Sequence, residues 1–181
     1  MGVIVGKLRG FDPREVGSGN VGMTNVARAG GSGAAAVTFA GDLFKGLIPV
    51  LVARTVVGAV PVALAQVGFA AFAGAIASIF LGFKGGRGVA TSLGVWLGLA
   101  PVPIFSVLGL FIAILAVGRM VSLASLGAAV SLPATVAATH CARPYILLAI
   151  VMSALVVLRH RENIGRLLRG EERRIGGSWG G

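Results

Sequence analysis

An uncharged apolar run at residues 62–81 limits the possible fold of this chain more than any other sequence feature. A run of about 20 apolar residues, coiled as an α-helix, is long enough to cross the hydrocarbon core of a bilayer. Backbone groups inside lipid have no water to bind, so the segment must satisfy its own hydrogen bonds. The run therefore predicts a transmembrane helix.

Further apolar segments alternate with short polar loops, at residues 34–57, 89–100, 104–117, 121–139 and 145–158. The pieces at 89–100 and 104–117 are separated by Pro101 and Pro103. A helix of about 12 residues spans only about 18 Å, so these two pieces are expected to be short or tilted helices, or a re-entrant pair. The pattern predicts an all-α fold, a polytopic integral membrane helix bundle with about six membrane segments.

The composition agrees with a membrane protein. Charged residues make up 12% of the 181-residue chain, whereas a soluble domain carries about 25%. The length predicts a single domain at 1–181. Within it, 1–33 is expected to be a polar motif loop, 34–158 the membrane helices and 159–181 a basic tail.

The net charge of +10 fits nucleic acid or a membrane surface in principle. In a chain this apolar, the membrane is favoured, because Lys and Arg gather on the cytoplasmic side, and no nucleic-acid partner is expected. If the spans alternate, most basic residues fall on one side: Lys7, Arg9, Arg14, Arg28, Lys84, Arg87, Arg119 and the arginines from Arg159 onward. This asymmetry predicts that both ends of the chain are cytoplasmic.

Two polar clusters have the composition of anion-binding loops. The first runs from Gly17 to Arg28 and alternates glycines with small hydroxyl and amide residues. The second places Lys84, three glycines and Arg87 directly before a helix expected to start at Val89. Glycine-rich backbone and a helix N-terminus both favour a bound phosphate. A capped turn for the first cluster, and a flexible positive-inside loop for the second, remain as alternatives.

A third cluster begins at His160, and Asp42 and Lys45 lie within an apolar segment. His160 and Asn163 are three residues apart, so on a helix they share one face and are candidates for a site. The basic residues around them are typical of an amphipathic tail on anionic headgroups. Asp42 and Lys45 are also three apart and are expected to form an ion pair.

Four segments in sequence order, GSGNVGMTNVARAGG, GDLFKG, FLGFKGGRGVATSLG and HRENIGRLLRGEE, resemble the acyl-phosphate:glycerol-3-phosphate acyltransferase family (PlsY). GRMVSLASLG resembles a serine-containing segment of the same family. The family has seven transmembrane helices with the N-terminus outside. The chain is therefore expected to supply the last six helices, with residues 1–7 as a stub of the first. A version extended upstream by the rest of the first helix is expected to be more stable.

The resemblance implies transfer of a fatty acyl group from acyl phosphate to glycerol-3-phosphate, giving lysophosphatidic acid and phosphate. It implies a multi-pass protein of the bacterial inner membrane with a cytoplasmic active site. Partners would be these two substrates and membrane lipid, the protein would be a monomer, and no cofactor or metal is expected. The residues also show no cluster with metal-ligand spacing, because His140 and His160 are expected on opposite sides of the membrane.

Site residues follow from the same motifs. The expected catalytic residues are Ser18, Arg28, Lys84, His160 and Asn163. The expected substrate-binding residues are Gly17, Gly19, Asn20, Asn25, Gly85, Gly86, Arg87, Gly88 and Ser122. His160 is expected to act as a general base or as a phosphate ligand, and Glu171 or Glu172 to order the tail.

Two other functions stay open. Where the family usually has His-x-Phe-Pro, this chain has Ala75-Ile76-Ala77-Ser78, which leaves room for a homologue that has lost its activity. A membrane anion transporter or channel is the other alternative. It predicts polar residues near the middle of the spans, whereas the polar motifs here collect at one surface.

Overall fold

The computed structural model describes residues 1–176, and every regular element in that range is helical. The helices are α1 (Gly2–Leu8), α2 (Met23–Val57), α3 (Pro61–Ile76), α4 (Val89–Leu99), α5 (Pro101–Gly118), α6 (Val121–Ala138), α7 (Arg143–Arg159) and α8 (Arg161–Leu168), with a 3₁₀ turn at Ile79–Leu81. Residues 177–181 of the predicted basic tail lie outside the described residues.

Four of these segments are long and apolar enough to cross a membrane: α2, α3 with its 3₁₀ turn, α5 and α6. The pair α7–α8, bent by 60°, is a fifth candidate membrane span if the two helices are taken together. Helix α4 is a shorter apolar helix. The prediction of an all-α bundle with about six apolar segments, some of them short, is confirmed.

Helix α2 begins at Met23 and so includes half of the first motif, which was expected to be loop as far as residue 33. The side-chain oxygen of Asn20 accepts the N–H of Gly22 at 2.8 Å, a local turn that starts the helix. The glycine-rich run suggested a loop, but only Gly31 leaves helical geometry, at φ 77° and ψ −178°. Gly31 divides α2 into a short leading segment and a long trailing one.

Helix α5 also differs from its predicted extent. Pro101 opens the helix, and α5 runs for 18 residues from there. Proline is well tolerated in the first helical turn, where its missing N–H has no intrahelical partner to lose. The segment is therefore long enough to span, and α4, with 11 residues, remains the short one.

The chain forms two compact units, and the first extends from Met1 to Leu99. Its main contact is between α2 and α4, with α1 and α3 packed on α2. Glycines bring α2 and α4 close together: a methyl group on Gly94 would collide with the Leu43 carbonyl oxygen, and one on Gly46 with the Thr91 carbonyl oxygen. Small residues permit such close packing in lipid, where van der Waals contact drives helix association.

Two polar contacts join residues of the first unit. The Thr91 hydroxyl donates to the Asp42 backbone carbonyl at 2.9 Å, linking α4 to α2. Lys45 Nζ lies 2.9 Å from Asp42 Oδ1, so the predicted ion pair is present. Such pairing offsets the cost of placing charged groups in an apolar segment.

The second unit begins at Ala100. Within it, α6 contacts both α5 and α7, and α8 follows α7 after His160. Ser122, at the start of α6, and Asn163, on α8, are both buried.

Glu172 fixes the segment after α8. Its Oε1 accepts hydrogen bonds from Ser122 Oγ at 2.8 Å and Asn163 Nδ2 at 2.7 Å, and its Oε2 accepts one from Arg166 Nε at 2.8 Å. The side chain is only 8% exposed. Burial raises the pKa of this carboxyl, but the hydrogen bonds from Asn163, Ser122 and Arg166 outweigh it, and the pKa lies below its ordinary value of 4.5. The expectation that one of the two glutamates orders the tail is met by Glu172.

Neutralising Glu172 should remove an acid-sensitive part of the stability. A carboxylate with a lowered pKa stabilises the fold above pH 4.5, and that contribution is lost as the pH falls through the folded-state pKa. Glu172→Gln should therefore lower the Tm at pH 7 by about 2–6 °C and flatten the decline in Tm below pH 4.5. Thermal unfolding in detergent from pH 7 to pH 3.5 measures both effects.

Glu171→Gln is the matched control, because Glu171 is an exposed neighbour paired with Arg169. It should leave the Tm within about 1 °C at pH 7. Equal Tm losses in the two variants would contradict the role assigned to Glu172.

Candidate functional site

The first motif loop folds around the side chain of Asn25, which is 2% exposed. Asn25 Nδ2 donates to the carbonyls of Pro13 and Val16, at 2.7 and 3.0 Å, and Oδ1 accepts the N–H of Ser18 at 2.8 Å. One amide thus ties three points of the loop to α2. Contact between Asn25 and substrate stays a prediction, and the observed contacts give it a positioning role.

Two glycines of this loop adopt left-handed backbone dihedral angles, which other residues rarely adopt. Gly17 and Gly19 have φ of 61° and 66°. A methyl group on Gly17 would collide with Asn25 Oδ1 and would lie 3.9 Å from Arg28 Cδ. The side chain of Arg28 therefore passes next to Gly17. Asn25 and Arg28 are three residues apart on α2, which directs both side chains toward the loop.

Several backbone amides expected to bind an anion are used inside the loops. Besides Ser18, Gly19 donates to the Val16 carbonyl at 3.0 Å and Gly22 to the Asn20 side chain. In the second loop, Gly86 donates to the Ala75 carbonyl at 3.2 Å and Lys84 to the Leu81 carbonyl at 3.1 Å. These amides shape the loops, and binding of an anion by them stays a prediction.

The second loop lies against the end of α3 and beside the first loop. A methyl group on Gly85 would collide with the Ala75 carbonyl oxygen, so this position requires glycine. One on Gly86 would lie 3.6 Å from Val21 Cγ2 and 3.9 Å from Asn20 Oδ1, which is ordinary contact. The structure therefore brings the two predicted motif loops together, and α4 starts at Val89 as predicted.

A cleft of about 460 Å³ opens between these loops. It is lined by Arg14, Glu15, Gly19, Val21, Lys84 and Gly85. Gly19, Lys84 and Gly85 were predicted as site residues. The exposed side chain of Lys84 gives the cleft a flexible cation.

Sequence reasoning missed Arg14, Glu15 and Val21 as lining residues. Arg14 was assigned only to the positive side of the membrane. The sequence did contain a signal for Arg14 as a cleft residue, because Arg14 lies four residues before Ser18, in the turn that leads into the motif. A cation that precedes a glycine-rich loop can face the same cleft as the cation of a second loop.

Asp12 holds Arg14 in place. The guanidinium donates from Nε and Nη2 to the Asp12 carboxylate, and the Arg14 backbone N–H donates to Asp12 Oδ1 at 2.9 Å. The side-chain and backbone hydrogen bonds from Arg14 lower the pKa of Asp12 to about 2. Asp12 therefore stays ionised near neutral pH.

In the second unit, His160 and Asn163 are both buried, at 1% and 2% exposure. His160 Nδ1 lies 2.8 Å from the Val156 carbonyl oxygen. A carbonyl can only accept, so Nδ1 carries the proton and, in the neutral ring, Nε2 carries the lone pair. In this tautomer Nε2 can accept a proton as a general base, whereas binding a phosphate through Nε2 would require the protonated ring.

Ser122 and Asn163 meet at the carboxylate of Glu172, with Arg166 as its third partner. Asn163 Oδ1 is buried and has no hydrogen-bond partner among residues 1–176. An unpaired buried acceptor is costly in a finished structure and is suited to a donor from a ligand, such as a hydroxyl. No cluster of three or more potential metal-ligating side chains occurs in the described part of the chain.

Residues 1–170 match the sequence profile of the family described as "Glycerol-3-phosphate acyltransferase". A relative of that name from Geobacter sulfurreducens is 48% identical over 175 residues, covering 96% of this chain and 89% of the relative. A relative of the same name from Rubrobacter xylanophilus is 45% identical, covering 99% of this chain and 90% of its own.

Two solved structures of PlsY (YgiH), described as an integral membrane glycerol 3-phosphate acyltransferase, share the fold. The glycerol 3-phosphate form superposes with a TM-score of 0.93 at 42% identity, covering 97% of this chain and 88% of that one. The lysophosphatidic acid form gives 0.91 at 40% identity. From its apolar helices, its motif loops and these matches, the chain is an integral membrane protein that belongs to the glycerol-3-phosphate acyltransferase family.

Proposed function

We propose that this protein transfers a fatty acyl group from acyl phosphate to glycerol-3-phosphate, at the cytoplasmic face of the bacterial inner membrane. The observation that carries the proposal is the near full-length match to PlsY structures in glycerol 3-phosphate and lysophosphatidic acid forms. The cleft beside Lys84 supports it, because a phosphate-bearing substrate needs a polar pocket with a cation.

The reaction needs no covalent enzyme intermediate. Acyl phosphate is a mixed anhydride, so a hydroxyl of glycerol-3-phosphate can attack its carbonyl carbon directly. A new ester C–O bond forms, the bond from the carbonyl carbon to the phosphate oxygen breaks, and inorganic phosphate leaves. The hydroxyl proton passes to His160 Nε2 or to a phosphate oxygen.

Arg28 and Lys84 are assigned to the negative charge that develops on the carbonyl oxygen and the leaving phosphate. Pre-positioned cations stabilise such charge without reorganising during the reaction. Arg28 is a candidate for this role because its side chain passes next to Gly17 in the first motif loop. Ser18 is assigned to the same centre, and its backbone N–H is fixed by Asn25.

Ser122, His160 and Asn163 are assigned to the glycerol-3-phosphate hydroxyls and phosphate. The unpaired Oδ1 of Asn163 would accept from a hydroxyl. Glu172 would keep Asn163 in the required rotamer through its Nδ2.

Product analysis with different donors tests the proposal. Purified protein is incubated with glycerol-3-phosphate and either acyl phosphate or acyl-CoA, and lysophosphatidic acid and released phosphate are measured. Equal amounts of both products from acyl phosphate alone are expected. Transfer from the thioester only, or no transfer at all, would overturn the proposal.

Arg28→Ala should reduce kcat/KM for acyl transfer by about 10²–10³-fold, because loss of one charge-stabilising contact in the transition state typically has this effect. Steady-state kinetics on protein with normal membrane insertion measure the change. Arg9→Ala, an exposed arginine of the same unit outside the cleft lining, serves as the control and should keep near-normal activity. Similar losses in the two variants would refute the assignment of Arg28.

Gly86→Leu should raise the KM for glycerol-3-phosphate more than it lowers kcat. The leucine side chain would extend into the space next to Asn20 and Val21, at the junction of the two loops. Gly74→Leu, on α3 with no atoms near the added carbon, is the matched control and should leave KM unchanged. An unchanged KM in Gly86→Leu would mean that the second loop serves the fold and not binding.

A further inference from the structure

The cleft between the motif loops contains two charged residues to which no function has been assigned, Arg14 and Glu15. They lie in the turn before the first motif, where the Glu15 N–H donates to the Asp12 carbonyl at 3.1 Å. Both side chains are exposed, and both line the same cleft as Lys84. The cleft therefore holds two cations and one anion among its lining residues.

The pairing of Arg14 with Asp12 fixes the direction of the guanidinium. Arg14 Nε lies 3.0 and 3.1 Å from the two carboxylate oxygens of Asp12, and Nη2 donates to the same carboxylate. Exposed ion pairs contribute little to stability, so stability alone does not explain so many contacts. Asp12 occupies the Nε edge of the planar group, and the Nη1 edge can bind a second anion.

We propose that Arg14, oriented by Asp12, is a second phosphate-binding residue of the cleft alongside Lys84, and that Glu15 limits how tightly the phosphate is held. The ligand is the phosphate group of a phosphate monoester or of an acyl phosphate. This inference deepens the proposed function and rests on it.

The two cations suit phosphate in different ways. The planar guanidinium of Arg14 presents N–H groups in a fixed fork, whereas Lys84 is a point charge on a flexible stem. A phosphate with three acceptor oxygens can bind both at once. Asp12 is ionised near neutral pH, with its pKa of about 2, and its contacts keep the fork oriented.

Glu15 has the opposite effect. A carboxylate in the same cleft repels phosphate and competes for the cations, so it weakens binding of substrate and of released phosphate alike. Weak binding favours turnover, because inorganic phosphate must leave before the next cycle. Arg14 and Glu15 are adjacent, and they should have opposite effects on the same binding constant.

The test compares Arg14→Gln and Glu15→Gln, with Arg9→Gln as a charge-matched control outside the cleft lining. The KM for glycerol-3-phosphate, the KM for acyl phosphate and the inhibition constant of inorganic phosphate are measured at low and at about 0.5 M salt. Circular dichroism and Tm confirm that each variant is folded.

Arg14→Gln should raise at least one of these constants by roughly 10-fold, as expected for a charged hydrogen bond, and kcat should change by less than about 3-fold. Glu15→Gln should lower the same constant by about 2- to 3-fold. Both effects should shrink at high salt, where exposed charges are screened, and Arg9→Gln should change none of the constants. The constant that moves identifies the source of the phosphate: the acceptor, the donor or the released product.

Three results would overturn the inference: changes of the same sign in Arg14→Gln and Glu15→Gln, an equal change in Arg9→Gln, or constants that are all unaltered in Arg14→Gln, whatever its Tm. Titration of wild type and Arg14→Gln with inorganic phosphate, followed by ³¹P NMR, separates the inference from the proposed function. Weaker phosphate binding in Arg14→Gln supports the phosphate site even if the wild type fails to use acyl phosphate. Equal binding would overturn the site whatever the donor.

Discussion

The side-chain amide of Asn25 is the contact on which the first motif loop depends. Its hydrogen bonds to Pro13, Val16 and Ser18 join three loop positions to one residue of α2. A buried amide that lost one of these partners would leave a polar group unpaired, at a cost of about 1–3 kcal/mol. The position of the Ser18 backbone N–H therefore follows from this residue.

Glu172 has a corresponding function in the second unit. Its carboxylate only accepts, from Ser122, Asn163 and Arg166, whereas Asn25 donates to two backbone carbonyls and accepts from one backbone N–H. Asn25 satisfies backbone groups of a segment without regular structure, whereas Glu172 binds side chains of α6 and α8 and so ties its own segment to two helices.

Much of the fold could be predicted from the sequence, because uncharged runs such as 62–81 have few alternatives in lipid. The start of α2 could not, since the glycines near Gly31 look like a loop and only the Asn20 turn shows that the helix begins earlier. Similarly, Pro101 suggested an interruption but opens α5. Arg14 was missed because its distance from Lys84 depends on how two loops fold together, and spacing along the chain does not report that.

The break at Gly31 separates two tasks within one long helix. The trailing segment of α2 packs against α4 through Gly46 and the carbonyl of Leu43, where added atoms would collide. The leading segment carries Asn25 and Arg28, whose side chains face the first motif loop. A change of direction at one residue means that substitutions on the leading segment need not propagate into the helix interface. The end of α2 that carries Asn25 and Arg28 and the end that packs against α4 can therefore be altered separately.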